Sequence, residues 1–108
     1  MARTFQEQVY ALVRAVPMGC VTSYGQLAMM TGRPRASRII GCMMAKCSDP
    51  SMPCHRVLHR DGSLCNSDTF GPMQRQLLHD EGVVIEKNGR VDMQKYGWTG
   101  VAQQEAIP

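Results

Sequence analysis

At 108 residues, 44% of them hydrophobic, and with a formal net charge of +3, the chain can build one domain with a modest core but not two. It has no run of about eighteen apolar residues, which excludes a membrane-spanning helix. It also lacks a charged-then-apolar leader, so residence inside the cell is expected, cytoplasmic or nuclear according to the source.

The cysteines at 20, 42, 47, 54 and 65 are odd in number, and no pair shows C-x-x-C spacing. With histidines only at 55, 59 and 79, no metal and no cofactor is expected, and the thiols read as free in a reducing compartment.

Phe5, Val9, Leu12, Val13 and Val16 recur at helical spacing and predict an amphipathic helix over 4–16, ended by Pro17-Met18-Gly19. Thr22 or Ser23 can cap a second helix carrying Tyr24, Leu27, Ala28 and Met29, with Gly32 as its C-terminal cap. Pro34 suits the first turn of a third helix reaching about Lys46. Helix, Gly-containing turn and helix form the skeleton of a helix-turn-helix, a corner that DNA-binding and non-binding proteins share. Arg33, Arg35, Arg38, Lys46, Arg56 and Arg60 cluster in a stretch whose one acid is Asp49. That bias fits a DNA face and a solvated face equally.

Pro50 and Pro53 keep 48–53 irregular and lead into Pro53-Cys54-His55-Arg56-Val57. A thiol attacks as its thiolate, and a nearby imidazole or cation is the usual means of lowering its pKa. Adjacent side chains normally point apart, so Cys54 by itself reads more readily as a buried, inert thiol than as a nucleophile. Val57, Leu58 and Leu64 flank Asp61-Gly62 and predict a hairpin, followed by a polar, irregular stretch over 65–71. Pro72 opens a helix through Leu77 and Leu78 that Gly82 closes, and Asn88-Gly89 marks a second hairpin between Val83–Ile85 and Val91. Tyr96 and Trp98 are expected to pack on the core. Residues 1–100 then form the domain and 101–108 a polar, disordered tail. The fold class expected is mainly α with short β elements, a helix-turn-helix of winged-helix-like character.

Four motifs in order, Val21-Thr22-Ser23-Tyr24-Gly25-Gln26-Leu27-Ala28, Gly32 to Gly41, Pro53 to Val57, and Leu77-Leu78-His79-Asp80-Glu81-Gly82, make residues 3–98 resemble a known family. They are similar to the C-terminal domain of O6-alkylguanine-DNA alkyltransferases and to the alkyltransferase-like proteins. The resemblance implies a monomer that binds the minor groove of double-stranded DNA containing O6-alkylguanine and flips the damaged nucleotide outward. Arg35 would open the recognition helix. Ala36, Ser37 and Gly41 would let it approach the backbone, Arg38 would fill the vacated stack, and Tyr24 would crowd the target phosphate. Cys54 would accept the alkyl group, His55 would withdraw its proton through water, and Glu81 would orient His55. Pro53, Arg56 and Val57 would shape the active-site turn, with Arg56 securing it.

Several features depart from the alkyltransferases. Their separate N-terminal domain is expected to be missing, and the size and ending stand closer to the alkyltransferase-like group, which usually carries Trp where this chain has Cys54. The hinge asparagine is replaced by Cys47. The loop Cys65 to Pro72 lacks the tyrosine–glycine pair that closes the base pocket, and Gln74 stands near the position of a lysine. Three functions follow. The leading one is single-turnover alkyl transfer to Cys54. The second is a sensor that binds the lesion and recruits another pathway, with nucleotide-excision-repair proteins as partners. The third is a helix-turn-helix regulator without lesion preference.

Overall fold

The computed structural model describes residues 3–100, so the expected tail lies outside the described residues. Helix α1 (Phe5–Ala15) starts at a reciprocal cap: Thr4 Oγ1 accepts from Glu7 N–H while the Glu7 carboxylate accepts from Thr4 N–H. Its apolar stripe buries Val9 and Val13 completely. The chain then forms strand β1 (Thr22–Ser23) and turns into α2 (Tyr24–Met30), capped by Ser23, whose hydroxyl accepts from Gln26 N–H. Gly32 ends the corner at φ 77°, and Arg33 N–H closes back on the Ala28 carbonyl.

Helix α3 (Ser37–Lys46) starts later than Pro34 suggests. Residues 33–36 make a turn of their own, with Ala36 N–H bonded to the Arg33 carbonyl, and burial of Ala36 in the core redirects the chain there. The helix-turn-helix is thus formed by α2 and α3, packed through Leu27, Ala28, Ile40 and Met44 onto Val9 and Val13.

The hairpin expected at Asp61-Gly62 is only half made. His59 N–H reaches the Ser63 carbonyl and closes the turn, yet β2 (Val57–Leu58) pairs with β1 in parallel, Thr22 opposite Val57 and Ser23 opposite Leu58, instead of with Leu64. The reason lies in strand alternation. Val57 enters the core of α1–α3 while Leu58 enters a second core with Val21, Leu78, Val83 and Val91. One short strand therefore joins the two.

Helix α4 (Phe70–Asp80) starts before Pro72, which then sits in the first turn, where its missing N–H is not needed. The second hairpin forms as expected around Gly89, with Ile85 paired to Val91 and Glu86 N–H bonded to the Arg90 carbonyl. A single turn, α5 (Met93–Tyr96), was not anticipated; Asp92 caps it by accepting from Gln94 and Lys95 N–H. Backbone bonds from Val21 N–H to Tyr96 O and from Trp98 N–H to Val21 O then lay the C-terminal segment beside β1, with Trp98 buried. Among the described residues no helix is long and apolar enough to cross a membrane.

Gly62 locks the first turn onto the second hairpin: its carbonyl accepts from Val91 N–H, its φ is 86°, and a Cβ there would strike the Val91 carbonyl oxygen. Gly62→Ala is expected to cost roughly 2–4 kcal/mol, combining a left-handed conformation with a backbone clash. A shift in the denaturant midpoint measures it, and an unchanged midpoint would contradict this account of the turn.

Candidate functional site

The α2–α3 corner borders a cleft of about 920 Å³. From α3 it receives Ser37, Arg38, Gly41, Cys42 and Ala45, one continuous helical face in which small side chains surround a single arginine. Tyr24 and Gln26 line it from α2, His59 and Arg60 from beyond β2, Cys65 and Asn66 from the following loop, and Trp98 from the C-terminal segment. Tyr24 meets His59 edge-to-face, with ring centroids 5.4 Å apart. Burial raises the Tyr24 phenol above its ordinary value, and the neighbouring Cys65 and Cys54 add to this, so the ring stays neutral near pH 7. Of the residues expected at the DNA face, Ser37, Arg38, Gly41 and Tyr24 share the cleft. Arg35 is exposed outside its lining, and Ala36 is buried at the start of α3.

The Pro53-Cys54-His55-Arg56-Val57 motif forms a tight 3-10 turn over Cys54–Arg56, with Arg56 N–H bonded to the Pro53 carbonyl, that runs straight into β2. Here the three side chains after Pro53 separate. His55 Nε2 lies 2.9 Å from Glu81 Oε2. Arg56 grips the same carboxylate with two bonds, Nε to Oε1 at 3.0 Å and Nη2 to Oε2 at 2.7 Å. Its remaining Nη1 donates to the Val16 carbonyl at 2.8 Å. Arg56 thereby ties the turn to the ends of α1 and α4. Val57 is fully buried.

Burial by itself would raise the Glu81 carboxyl. Hydrogen bonds from Arg56 and His55, together with their charges, outweigh it and hold the group below the usual carboxylate range. An ionised Glu81 can only accept, so His55 Nε2 carries the proton and, in the neutral ring, Nδ1 is an acceptor with no partner among the described residues.

Cys54 itself is half-buried, and its environment runs against the expected activation. Burial pushes the thiol up to about 12, with Cys47 contributing through its charge and a side-chain hydrogen bond and Asp49 adding negative charge. Cys47 reaches it because it caps the C-terminus of α3 and packs, like Cys54, against the α1–α3 core.

Gln74 is the residue whose importance went unseen in the sequence. It is completely buried, its Nε2 donates to the carbonyls of His55 and Val57, and its Oε1 accepts from Cys65 N–H. A signal was available: Gln74 stands four residues before the buried Leu78, in the apolar stripe of α4, where an amide needs partners. Among the described residues no group of three or more His, Cys, Asp or Glu could hold a metal ion.

Comparison with known proteins places these features in a lineage. Residues 4–83 match the DNA-binding domain of 6-O-methylguanine DNA methyltransferase. The chain is 38% identical over 96 residues to a DNA base-flipping protein of Escherichia coli, spanning 88% of this chain and 74% of that one. It is 42% identical over 86 residues to the methylated-DNA–protein-cysteine methyltransferase of Salmonella typhimurium, covering 75% of this chain but only 48% of the enzyme. In three dimensions it superposes on S. pombe Atl1, solved with damaged DNA containing O6-carboxymethylguanine, at a TM-score of 0.79 and 29% identity, over 90% of this chain and 98% of Atl1. The helix-turn-helix, the Cys54 turn and these matches together establish that the chain belongs to the family of the O6-methylguanine DNA methyltransferase DNA-binding domain.

Proposed function

We propose that this protein binds duplex DNA containing O6-alkylguanine through the α2–α3 face, holds the extruded base beside the Cys54 turn, and transfers the alkyl group to Cys54 in one slow turnover. The observation that carries this reading is a physical linkage: β2 pairs with β1, so the acceptor turn is hydrogen-bonded to the strand that leads into Tyr24 and the DNA-facing helices. A base displaced by Arg38 would leave the stack next to Tyr24. Extrusion costs a few kcal/mol, and less where the lesion has already weakened pairing.

Transfer requires removal of the Cys54 proton, for which His55 Nδ1, acting through water, is the available base. The thiolate then attacks the alkyl carbon and the C–O6 bond breaks with its electron pair going to guanine, so that O6 becomes the carbonyl and the proton taken from Cys54 returns through His55 and water to the ring nitrogen. The thioether is stable, so Cys54 is spent. The raised thiol and the Cys47 neighbour favour a second reading, a sensor that binds the lesion without modifying it and recruits other repair proteins.

Intact mass after prolonged incubation with an O6-methylguanine duplex separates the two. A gain of one methyl group, absent in Cys54→Ala, is the expected result. No gain with lesion-selective binding retained would make the protein a sensor. Equal affinity for damaged and undamaged DNA would overturn both readings in favour of a regulator. In the same binding assay Arg38→Ala is expected to lose lesion preference by about tenfold or more with an unchanged melting temperature; a collapse in thermal stability would contradict that role.

A further inference from the structure

Gln74 is the one fully buried polar side chain of α4, and all its bonds leave its own helix. On one side its Nε2 holds the His55 carbonyl at 3.2 Å and the Val57 carbonyl at 3.1 Å, the backbone of the acceptor turn. On the other its Oε1 holds the Cys65 N–H at 2.8 Å, at the start of the loop that supplies Cys65 and Asn66 to the DNA cleft. Among the described residues no other hydrogen bond joins residues 65–69 to the turn at 54–58. The loop also has no slack on the helix side: a Cβ at Gly71 would lie 2.6 Å from the Cys65 carbonyl oxygen. The amide is planar, both its ends are used, and the side chain has no solvent exposure.

We propose that Gln74 is a positioning residue that sets the distance between the cleft-facing loop and the Cys54 turn, and with it the shape offered to an extruded alkylated guanine. This rests on the lesion-binding reading above. Gln74 touches no DNA; it acts through Cys65, His55 and Val57. An amide suits this task better than a cation, because it supplies two donors on one face and an acceptor on the other, whereas an ammonium has no acceptor for Cys65.

The test compares native protein, Gln74→Met and Gln74→Glu by melting temperature, affinity for an undamaged duplex and affinity for the same duplex with one O6-methylguanine. Methionine keeps the volume and loses all three bonds. Glutamate, protonated in this fully buried site, keeps an acceptor for Cys65 and only one of the two donors. The expected result is undamaged-duplex affinity within about twofold of native in both variants, with lesion preference falling by about tenfold in Gln74→Met. Amide exchange at Cys65 supplies an independent reading: protected in native protein and in Gln74→Glu, fast in Gln74→Met. Should the methionine variant fail to fold, Gln74→Glu decides through its lesion preference, expected to drop while Cys65 stays protected. Native lesion preference retained in every folded variant overturns the proposal and leaves the lesion-binding reading intact. Parallel loss of both affinities with melting temperature reduces Gln74 to a structural strut and overturns it too. Absence of lesion preference in the native protein sinks both readings together.

Discussion

Glu81→Ala is expected to destabilise the protein by about 3–5 kcal/mol, the cost of leaving a buried cation without its partner. The side chains of Arg56 and Glu81 are only 13% and 12% exposed, and both oxygens of the carboxylate are occupied by Arg56 and His55. Removing Glu81 strands the guanidinium with the Val16 carbonyl as its one remaining partner among the described hydrogen bonds. The loss also unties the end of α4 from the Cys54 turn, so the proposed alkyl transfer should fall with stability.

Glu81→Gln separates charge from shape through pH. The native carboxyl is held below its ordinary value by Arg56 and His55, against the opposing effect of burial. Its stabilising contribution is therefore fully present above the unfolded-state pKa of about 4.3 and is lost as pH falls through the lower folded value. The substituted amide cannot titrate, so the variant should be less stable than native protein near neutrality, with the gap narrowing below about pH 4. Urea midpoints across that range measure it; a gap that stays constant into acid would refute the ionised pair.

The second large effect concerns Cys47. Cys47→Asn is expected to speed alkyl transfer near pH 8. Burial is the foremost cause that holds the Cys54 thiol up, and it remains in the variant; the neighbouring Cys47 thiol is the next cause and would be removed. Each unit by which the thiol pKa falls raises the thiolate about tenfold, and lower basicity returns roughly half of that on a logarithmic scale, leaving about threefold per unit. A gain of roughly 3- to 10-fold in the methylation rate is therefore expected, with the rate-versus-pH curve displaced to lower pH. Single-turnover mass measurements over pH 7–10 would show it. A curve that does not move would mean that Cys47 leaves the acceptor thiol unaffected. Should neither native protein nor variant gain a methyl group, the sensor reading gains weight.

Chain and structure agree or part along physical lines. Local patterns were legible: the apolar stripe of α1, the Ser23 cap, the Gly32 corner between α2 and α3, and the Asn88-Gly89 hairpin each depend on residues a few positions apart. The four ordered motifs likewise carried the family, because a motif is itself a local string. Failures occurred where a residue's partner is distant in the chain. Val57 and Leu58 looked like one arm of a hairpin, yet pairing with Thr22 and Ser23 buries them in two cores at once. Gln74 stood in an apolar stripe with nothing nearby to name its three backbone partners. Cys54 beside His55 suggested an activated thiol; the imidazole meets Glu81, as the resemblance implied, but folding also packs Cys47 and Cys54 against the same core, where burial raises the thiol. The order of residues alone says which reactive groups the protein possesses and how they are strung. Which of them meet is settled by folding, since hydrogen bonding and desolvation depend on distance in space and not on separation along the chain.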